Sequence, residues 1–428
     1  MRLDLKYGRN ELELELPVGL KCKIFRTKDM PIVKEPAAHI RQSLDDPIGA
    51  PPLRELVKGR KDACIVVSDA TRPVPNREVL PPLIDKLQEA GMSPEKVSLL
   101  IATGIHRAPT PDELVEILGE EILRRYRIIT HDARERTRIR RIGYTSSGTP
   151  IDINEFYLES DLKIVVGLVE PHFMAGYSGG RKSIAVGLTS VDAIRTLHGP
   201  AMLEQTGARN CELKSNPLQT ELLEIAAAAG ADMCVNVVLD SSRKIADVFT
   251  GDLALSHLKA CDFAACYSTE PGTGLYDIVV TTAAGYPLDA TYYQAVKGLV
   301  GALDILAPGG SIILAAECSH GLGSVEFREG LELLKQVGDH DRFIEYIAEP
   351  AHFHIDQWEV EMLVKVLRRA RIYLYSEGLS EEEIDLSGAT QINSVGTGMH
   401  LALADAGQKA RVAVIPEGPY FIPLAAGG

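Results

Sequence analysis

Leu162-Lys-Ile-Val-Val-Gly-Leu-Val169, running straight into Glu170-Pro-His172-Phe-Met-Ala-Gly176-Tyr-Ser178-Gly179-Gly180-Arg181-Lys182, decides the fold class of this chain. The first run is apolar at nearly every position and rich in β-branched residues. It reads as a strand buried on both faces, the condition of a parallel sheet. The second turns abruptly to a histidine, a serine and a glycine pair ahead of a lysine. Three further stretches repeat this layout: Asp69-Ala-Thr71-Arg72-Pro73 after Cys64-Ile-Val-Val67, Gly104-Ile-His106-Arg107 after Leu99-Leu-Ile-Ala102, and residues 286–297 after Ile278-Val-Val280. Open α/β sheets bind ligands where their strands end at the carboxyl side. Histidines, arginines and a lysine gathered there are an enzyme's layout.

Working outward, strands and helices alternate from residue 62: strands at 64–68, 97–102, 162–168 and 233–239, with helices near 78–91, 111–125, 190–205 and 216–230. That order predicts a doubly wound parallel sheet. Residues 136–157 read as a peripheral hairpin and turn. After a break near Thr269-Glu-Pro-Gly-Thr-Gly274, a second βα series covers strands at 276–282, 310–316 and 371–375 with helices near 291–306, 325–336 and 356–369. The run Ala410–Pro416 fits either domain. At the other end, Glu11-Leu-Glu-Leu-Glu-Leu-Pro17, Val18-Gly19 and Lys21-Cys-Lys-Ile-Phe25 read as one antiparallel hairpin. The expected fold class is α/β with two domains, 1–270 and 275–405, and parallel-rich sheets.

Composition bounds the function. At 428 residues, two domains are the prior. A net charge of −14 argues against a nucleic-acid partner, which needs a basic face. The sequence has no membrane-length apolar stretch and no signal-peptide core at its start. The seven cysteines form no C-x-x-C pair and are odd in number, so neither a zinc ribbon nor a disulfide framework is expected, and the cytoplasm is the default compartment. A homo-oligomer stays open.

The glycine-rich turn lets backbone approach a ligand closely, and consecutive amides with the Ser178 hydroxyl suit a phosphate. Its order is not that of a Walker loop, and a plain strand-to-helix turn with an exposed lysine reads equally well in isolation. His198 changes that balance. Thr189 is expected to cap a helix, with Asp192 three residues on, placing Val191, Ile194 and His198 on its buried stripe. A buried neutral imidazole is a common metal ligand, yet neither a second histidine at ligand spacing nor a cysteine pair accompanies it, so any metal must bring its other donors with a cofactor. His106 and His172 each follow a strand and suit paired acid/base work. Tyr293, Gln294 and Lys297 share a helix, Gln294 and Lys297 on one face; with Arg72 they suit a carboxylate. Trp358 reads as a pocket wall or as plain core.

Taken together, D-A-T-R-P (69–73), G-I-H-R (104–107), P-H-x-x-A-G-Y-S-G-G-x-K (171–182), His198 sixteen residues beyond Lys182, and Y-Q-x-x-K (293–297) resemble the nickel-dependent lactate racemase family. The resemblance covers nearly the whole chain, Trp358 included. It implies two α/β domains with the active site in the cleft between them and a C-terminal tail, about 406–428, returning to the first. It implies a nickel pincer nucleotide, Ni(II)-pyridinium-3,5-bisthiocarboxylic acid mononucleotide, covalently attached at Lys182 with its nickel ligated by His198. By the same resemblance, His106 and His172 are the catalytic pair, and Asp69, Thr71 and Arg72, with Ser178, Gly179 and Gly180, meet the cofactor. Arg72, Tyr293, Gln294, Lys297 and Trp358 then contact the substrate. The implied activity is racemisation or epimerisation of a 2-hydroxy acid, lactate or a related one, by transient hydride transfer from C2. Cofactor-biosynthesis enzymes would be partners. Two rivals stand beside this reading: a cofactor-independent phosphosugar enzyme, and a non-catalytic nickel-nucleotide binding protein.

Overall fold

The computed structural model describes residues 2–17, 19–407 and 409–425. They form two compact units, one made of Asp29–His198 with Gln205–Ala265 and the other of the described residues of Met1–Lys28, Gly199–Glu204 and Cys266–Gly428.

The unit built on Asp29–His198 is organised by six strands: β1 (Ala63–Ser68), β2 (Val97–Ala102), β3 (Arg127–Thr130), β4 (Leu162–Leu168), β5 (Met233–Leu239) and β6 (Ile245–Gly251). Their order across the sheet is β6-β5-β4-β1-β2-β3, parallel throughout except for β6. The chain builds outward from β1 through β2 to β3 and then restarts on the other side of β1 with β4. The carboxyl ends of β1 and β4 therefore flank a topological switch point, where connections diverge to opposite sides and leave a crevice. Every residue of β2 is buried, and all of β4 except Lys163, as the unbroken apolar runs require. Ile65, Val67, Leu99, Ile101, Ile164 and Val166 centre this unit's core. Residues 136–157 contain the expected hairpin, Ile139–Tyr144 against Pro150–Asn154.

The second unit carries β7 (Tyr276–Thr282), β8 (Leu306–Ala315), β9 (Arg371–Tyr375) and β10 (Val412–Ile415). Thr390–Gln391 extends the sheet beyond β9 and Cys22–Ile24 beyond β10, all parallel. This corrects two expectations. The strand Asn10–Glu15 pairs with Arg2–Tyr7, not with residues 21–25, because the alternating Leu3, Leu5 and Tyr7 supply the buried face its own leucines need; Val18, placed in the expected turn, lies outside the described residues. The second unit takes up the chain from Cys266, the described residues of the first 28 fold with it, and the tail expected to return to the first unit stays in the second. Val412 and Val414 are fully buried between Ile278–Val280 and Cys22–Ile24, and Ile422–Leu424 pairs with Thr269–Pro271, so the tail's apolar residues are already used. Of that tail, Gln408 and residues 426–428 are outside the described residues. Among the described residues no helix is long and apolar enough to cross a membrane.

The helix Gln357–Leu367 in this unit is buried on almost every face and carries Glu361, whose two carboxylate oxygens have no hydrogen-bond partner. Burial pushes this carboxyl up, to about 8, with Glu204 adding and Lys365 and Arg368 opposing. A raised carboxyl pKa favours the folded state most below the unfolded value of about 4.5, and that stability is lost as pH rises through the folded value. Glu361→Gln keeps the shape without the charge. Its melting temperature is expected to exceed the parent's by about 3 °C at pH 9 and to match it at pH 5. A parent more stable than the variant at pH 9 contradicts the assignment.

Candidate active site

Three strand ends converge on one pocket. Its walls include Ser68, Asp69, Thr71 and Arg72 at the end of β1, Ala102, Thr103, Gly104 and His106 at the end of β2, and Ser178, Gly179, Lys182 and Ser183 beyond β4. The pocket encloses about 90 Å³. That is room for a phosphate or carboxylate, well short of the roughly 300 Å³ or more of a typical small-molecule site, so a larger ligand would extend out of it.

Asp69 is buried and acts as an organiser. One carboxylate oxygen accepts from the Thr71 backbone amide (3.1 Å) and hydroxyl (2.6 Å), a local turn that follows from an aspartate two residues before its partner. The other oxygen lies 2.7 Å from His106 Nδ1. Burial raises the Asp69 pKa, but the bonds from His106 and Thr71 outweigh it, and the carboxyl sits below its usual value. An ionised Asp69 favours His106 with its proton on Nδ1, which leaves the lone pair on Nε2 of a half-exposed ring. Asp69→Asn should preserve the fold and lower activity by about 10²–10⁴-fold, since the amide can hold the wrong tautomer. Steady-state kinetics read this; an unchanged rate contradicts the orienting role.

The loop beyond β4 places the lysine. Gly179 has φ +80°, and a Cβ there would sit 2.6 Å from Val169 and 2.9 Å from the Leu168 carbonyl, so only glycine passes this close to the strand end. The Ser178 hydroxyl, on the pocket wall, donates to the Leu168 carbonyl (2.7 Å) and accepts from the Glu170 amide (3.0 Å), fastening the loop. Gly180 packs against His257. Arg181, fully buried, donates to the Ala175 and Tyr177 carbonyls (both 3.0 Å) and lies 2.7 Å from His257, bracing the loop from behind.

Lys182 emerges from a short helix, Arg181–Ala185, with Nζ 2.7 Å from His172 Nε2. His172 Nδ1 accepts from the Met174 and Ala175 amides, each 3.2 Å away. His198 ends the helix Val191–Leu197, which is capped by Ser190, one residue beyond the expected Thr189; the Thr189 hydroxyl is used on the Asp152 carbonyl. His198 Nδ1 lies 3.1 Å from the Ile194 carbonyl, which places its proton there. Burial pushes its pKa down to about 4, and a charge on Lys182 acts in the same direction, so it is a neutral imidazole near pH 7.

In the other unit, the helix Tyr292–Ala302 follows β7 and carries Tyr293, Gln294 and Lys297. Lys297 Nζ donates to Gln294 Oε1 at 2.5 Å, as their spacing predicts. Trp358 is buried and donates from its indole N–H to the Tyr293 hydroxyl at 3.3 Å.

A doubly wound unit that gathers a lysine and a carboxylate-oriented histidine at its switch point, with a second histidine on the lysine, defines an enzyme of covalent or acid/base chemistry. The family follows from comparison. Residues 7–210 match the model of the lactate racemase N-terminal domain, and residues 273–422 that of the lactate racemase C-terminal domain. The chain is 33% identical over 420 residues to lactate racemase of Thermoanaerobacterium thermosaccharolyticum, covering 97% of each. It is 34% identical over 382 residues to that of Lactiplantibacillus plantarum, covering 89% of each. The structure of the T. thermosaccharolyticum lactate racemase apoprotein superposes with a TM-score of 0.93 at 32% identity, covering 99% of this chain and 100% of that one. A Thermotoga maritima protein shares the fold at TM-score 0.66 and 17% identity. The chain belongs to the lactate racemase family and is an isomerase.

Proposed function

We propose that this chain racemises a 2-hydroxy acid, with lactate as the first substrate to try, and that it does so with a nickel pincer nucleotide held by Lys182 and His198. The observation that carries the reading is the Lys182–His172 contact beside the pocket that Asp69 and His106 line. The donor set fits the group. Lys182 offers an amine for a covalent tether, and His198 offers one imidazole lone pair. Among the described residues no cluster of three or more His, Cys, Asp or Glu could hold a metal unaided, which suits a metal arriving with its own sulfur and carbon donors. Asp69, Thr71, Arg72 and Gly179 would frame the bound group. It would supply a reversible acceptor for the C2 hydride.

The chain's own residues do the rest. His106, held by Asp69, would take the hydroxyl proton of one enantiomer, and His172 that of the other, because mirror-image substrates present the hydroxyl on opposite sides. Arg72, Gln294 and Lys297 would hold the carboxylate and Tyr293 and Trp358 the remainder. Seven free thiols suit a reducing compartment, and we place the working protein in the cytoplasm, dependent on the enzymes that make its cofactor. The test is chiral analysis of lactate, malate and sugar acids incubated with protein expressed beside those enzymes. Conversion of one or more is expected; inertness toward all of them, with the adduct present, contradicts the reading.

A further inference from the structure

The second unit contains a polar chain that reaches the Tyr293–Trp358 pair from behind. The Tyr293 hydroxyl, which accepts from the Trp358 indole N–H, donates to Asp356 Oδ1 at 3.2 Å. The other Asp356 oxygen accepts from the Ser324 hydroxyl at 2.5 Å. Ser324 also caps the helix Val325–Val337 by accepting from the Phe327 amide, and the Phe327 ring packs edge-on against Tyr293 with centroids 5.2 Å apart. The approach is close. Gly323 has φ +120°, and a Cβ there would lie 3.0 Å from that of Tyr293. The amides of Tyr292 and Tyr293 donate to the Gly321 and Leu322 carbonyls.

Asp356 holds this position at a cost. Its φ is +64°, a left-handed conformation that non-glycine residues rarely take, although aspartate tolerates it better than most. It stands at the N-cap of the Trp358 helix, yet its side chain makes no capping bond there. The carboxylate that would ordinarily cap a helix is turned to Tyr293 and Ser324 instead.

We infer that Asp356 is a positioning residue, which through Tyr293 fixes the orientation of Trp358 and so the wall against which the substrate's C2 substituent is selected. This rests on the proposed racemase reading for the substrate, and on the geometry alone for the Asp356–Tyr293–Trp358 relay.

The experiment uses the chain's single tryptophan, whose emission reports only Trp358. Asp356→Gly removes the carboxylate while suiting a φ of +64°, so backbone strain does not confound it. Asp356→Asn keeps an acceptor for the Tyr293 hydroxyl. In unloaded protein, Asp356→Gly and Tyr293→Phe should produce the same emission shift and the same rise in acrylamide quenching. The double variant should add nothing further, and Asp356→Asn should stay close to the parent. In loaded enzyme, Asp356→Gly should raise KM about tenfold for the preferred 2-hydroxy acid with kcat nearly unchanged, and Asp356→Asn should restore it. Parent-like emission in Asp356→Gly, or additive shifts in the double variant, overturns the relay. An intact emission signature with unchanged KM overturns the positioning role and leaves the racemase reading standing. Loaded parent enzyme inert toward every 2-hydroxy acid removes the racemase reading and the selecting role together, while the emission data still decide the relay.

Discussion

Lys182→Ala protein, expressed beside the cofactor-making enzymes, is expected to carry no adduct and to have no activity above background. The ε-amine stands at the edge of a pocket too small for a whole nucleotide, 2.7 Å from His172 Nε2. Lys182→Arg should fail equally. A guanidinium keeps the charge but is neither nucleophilic nor deprotonated at working pH, so the pair of variants separates a tether from a mere cation. Neither change removes a buried contact from the core, and both apo proteins should melt within about 2 °C of the parent. Intact mass reads the tether independently of turnover. An adduct retained elsewhere in an active Lys182→Ala protein would contradict the assignment.

His198→Ala is expected to lose nickel on the order of tenfold or more, and activity with it, while the adduct on Lys182 remains detectable by mass. The Ile194 carbonyl lies 3.1 Å from Nδ1, and burial holds the imidazole neutral near pH 7, the form a metal ligand takes. Stoichiometric nickel in a folded His198→Ala protein would reduce His198 to a helix-terminal histidine. The two variants thus have distinct signatures, loss of adduct against loss of metal from a retained adduct.

Much of this site was legible in the chain because a parallel sheet advertises its strand ends. Runs such as Cys64–Val67, Leu99–Ala102 and Leu162–Val169 stop abruptly at Asp69, Gly104 and Glu170, and their loops hold the site. The family motifs then gave Lys182, His198 and the two histidines candidate roles. The partnerships between those loops could not be read. Asp69 and His106 are 37 residues apart, and only the adjacency of β1 and β2 brings the carboxylate to the ring. Nor could the bond from the Ser178 hydroxyl to the Leu168 carbonyl be read, because only the folded loop brings the two together. Arg181 drew no role because a buried arginine satisfied by carbonyls and a histidine leaves no charge pattern in the sequence. The strand Ile245–Gly251 and the helix Leu253–Ser268 were not anticipated. The strand is antiparallel at the sheet edge with alternating burial, and the helix lacks a clear apolar stripe. The N-terminal segment went to the wrong unit because Cys22–Ile24 is three residues long, and its partner Val412–Ile415 lies at the other end of the chain.

Racemisation of one enantiomer of lactate in D₂O by the loaded enzyme, followed by chiral separation and mass analysis of C2, tests the central claim in a single measurement. If His106 and His172 handle the hydroxyl proton while the C2 hydrogen moves as hydride, the opposite enantiomer accumulates with its original hydrogen at C2. Complete solvent deuterium at C2 would mean that the two histidines exchange a carbon-bound proton directly, and would contradict the account.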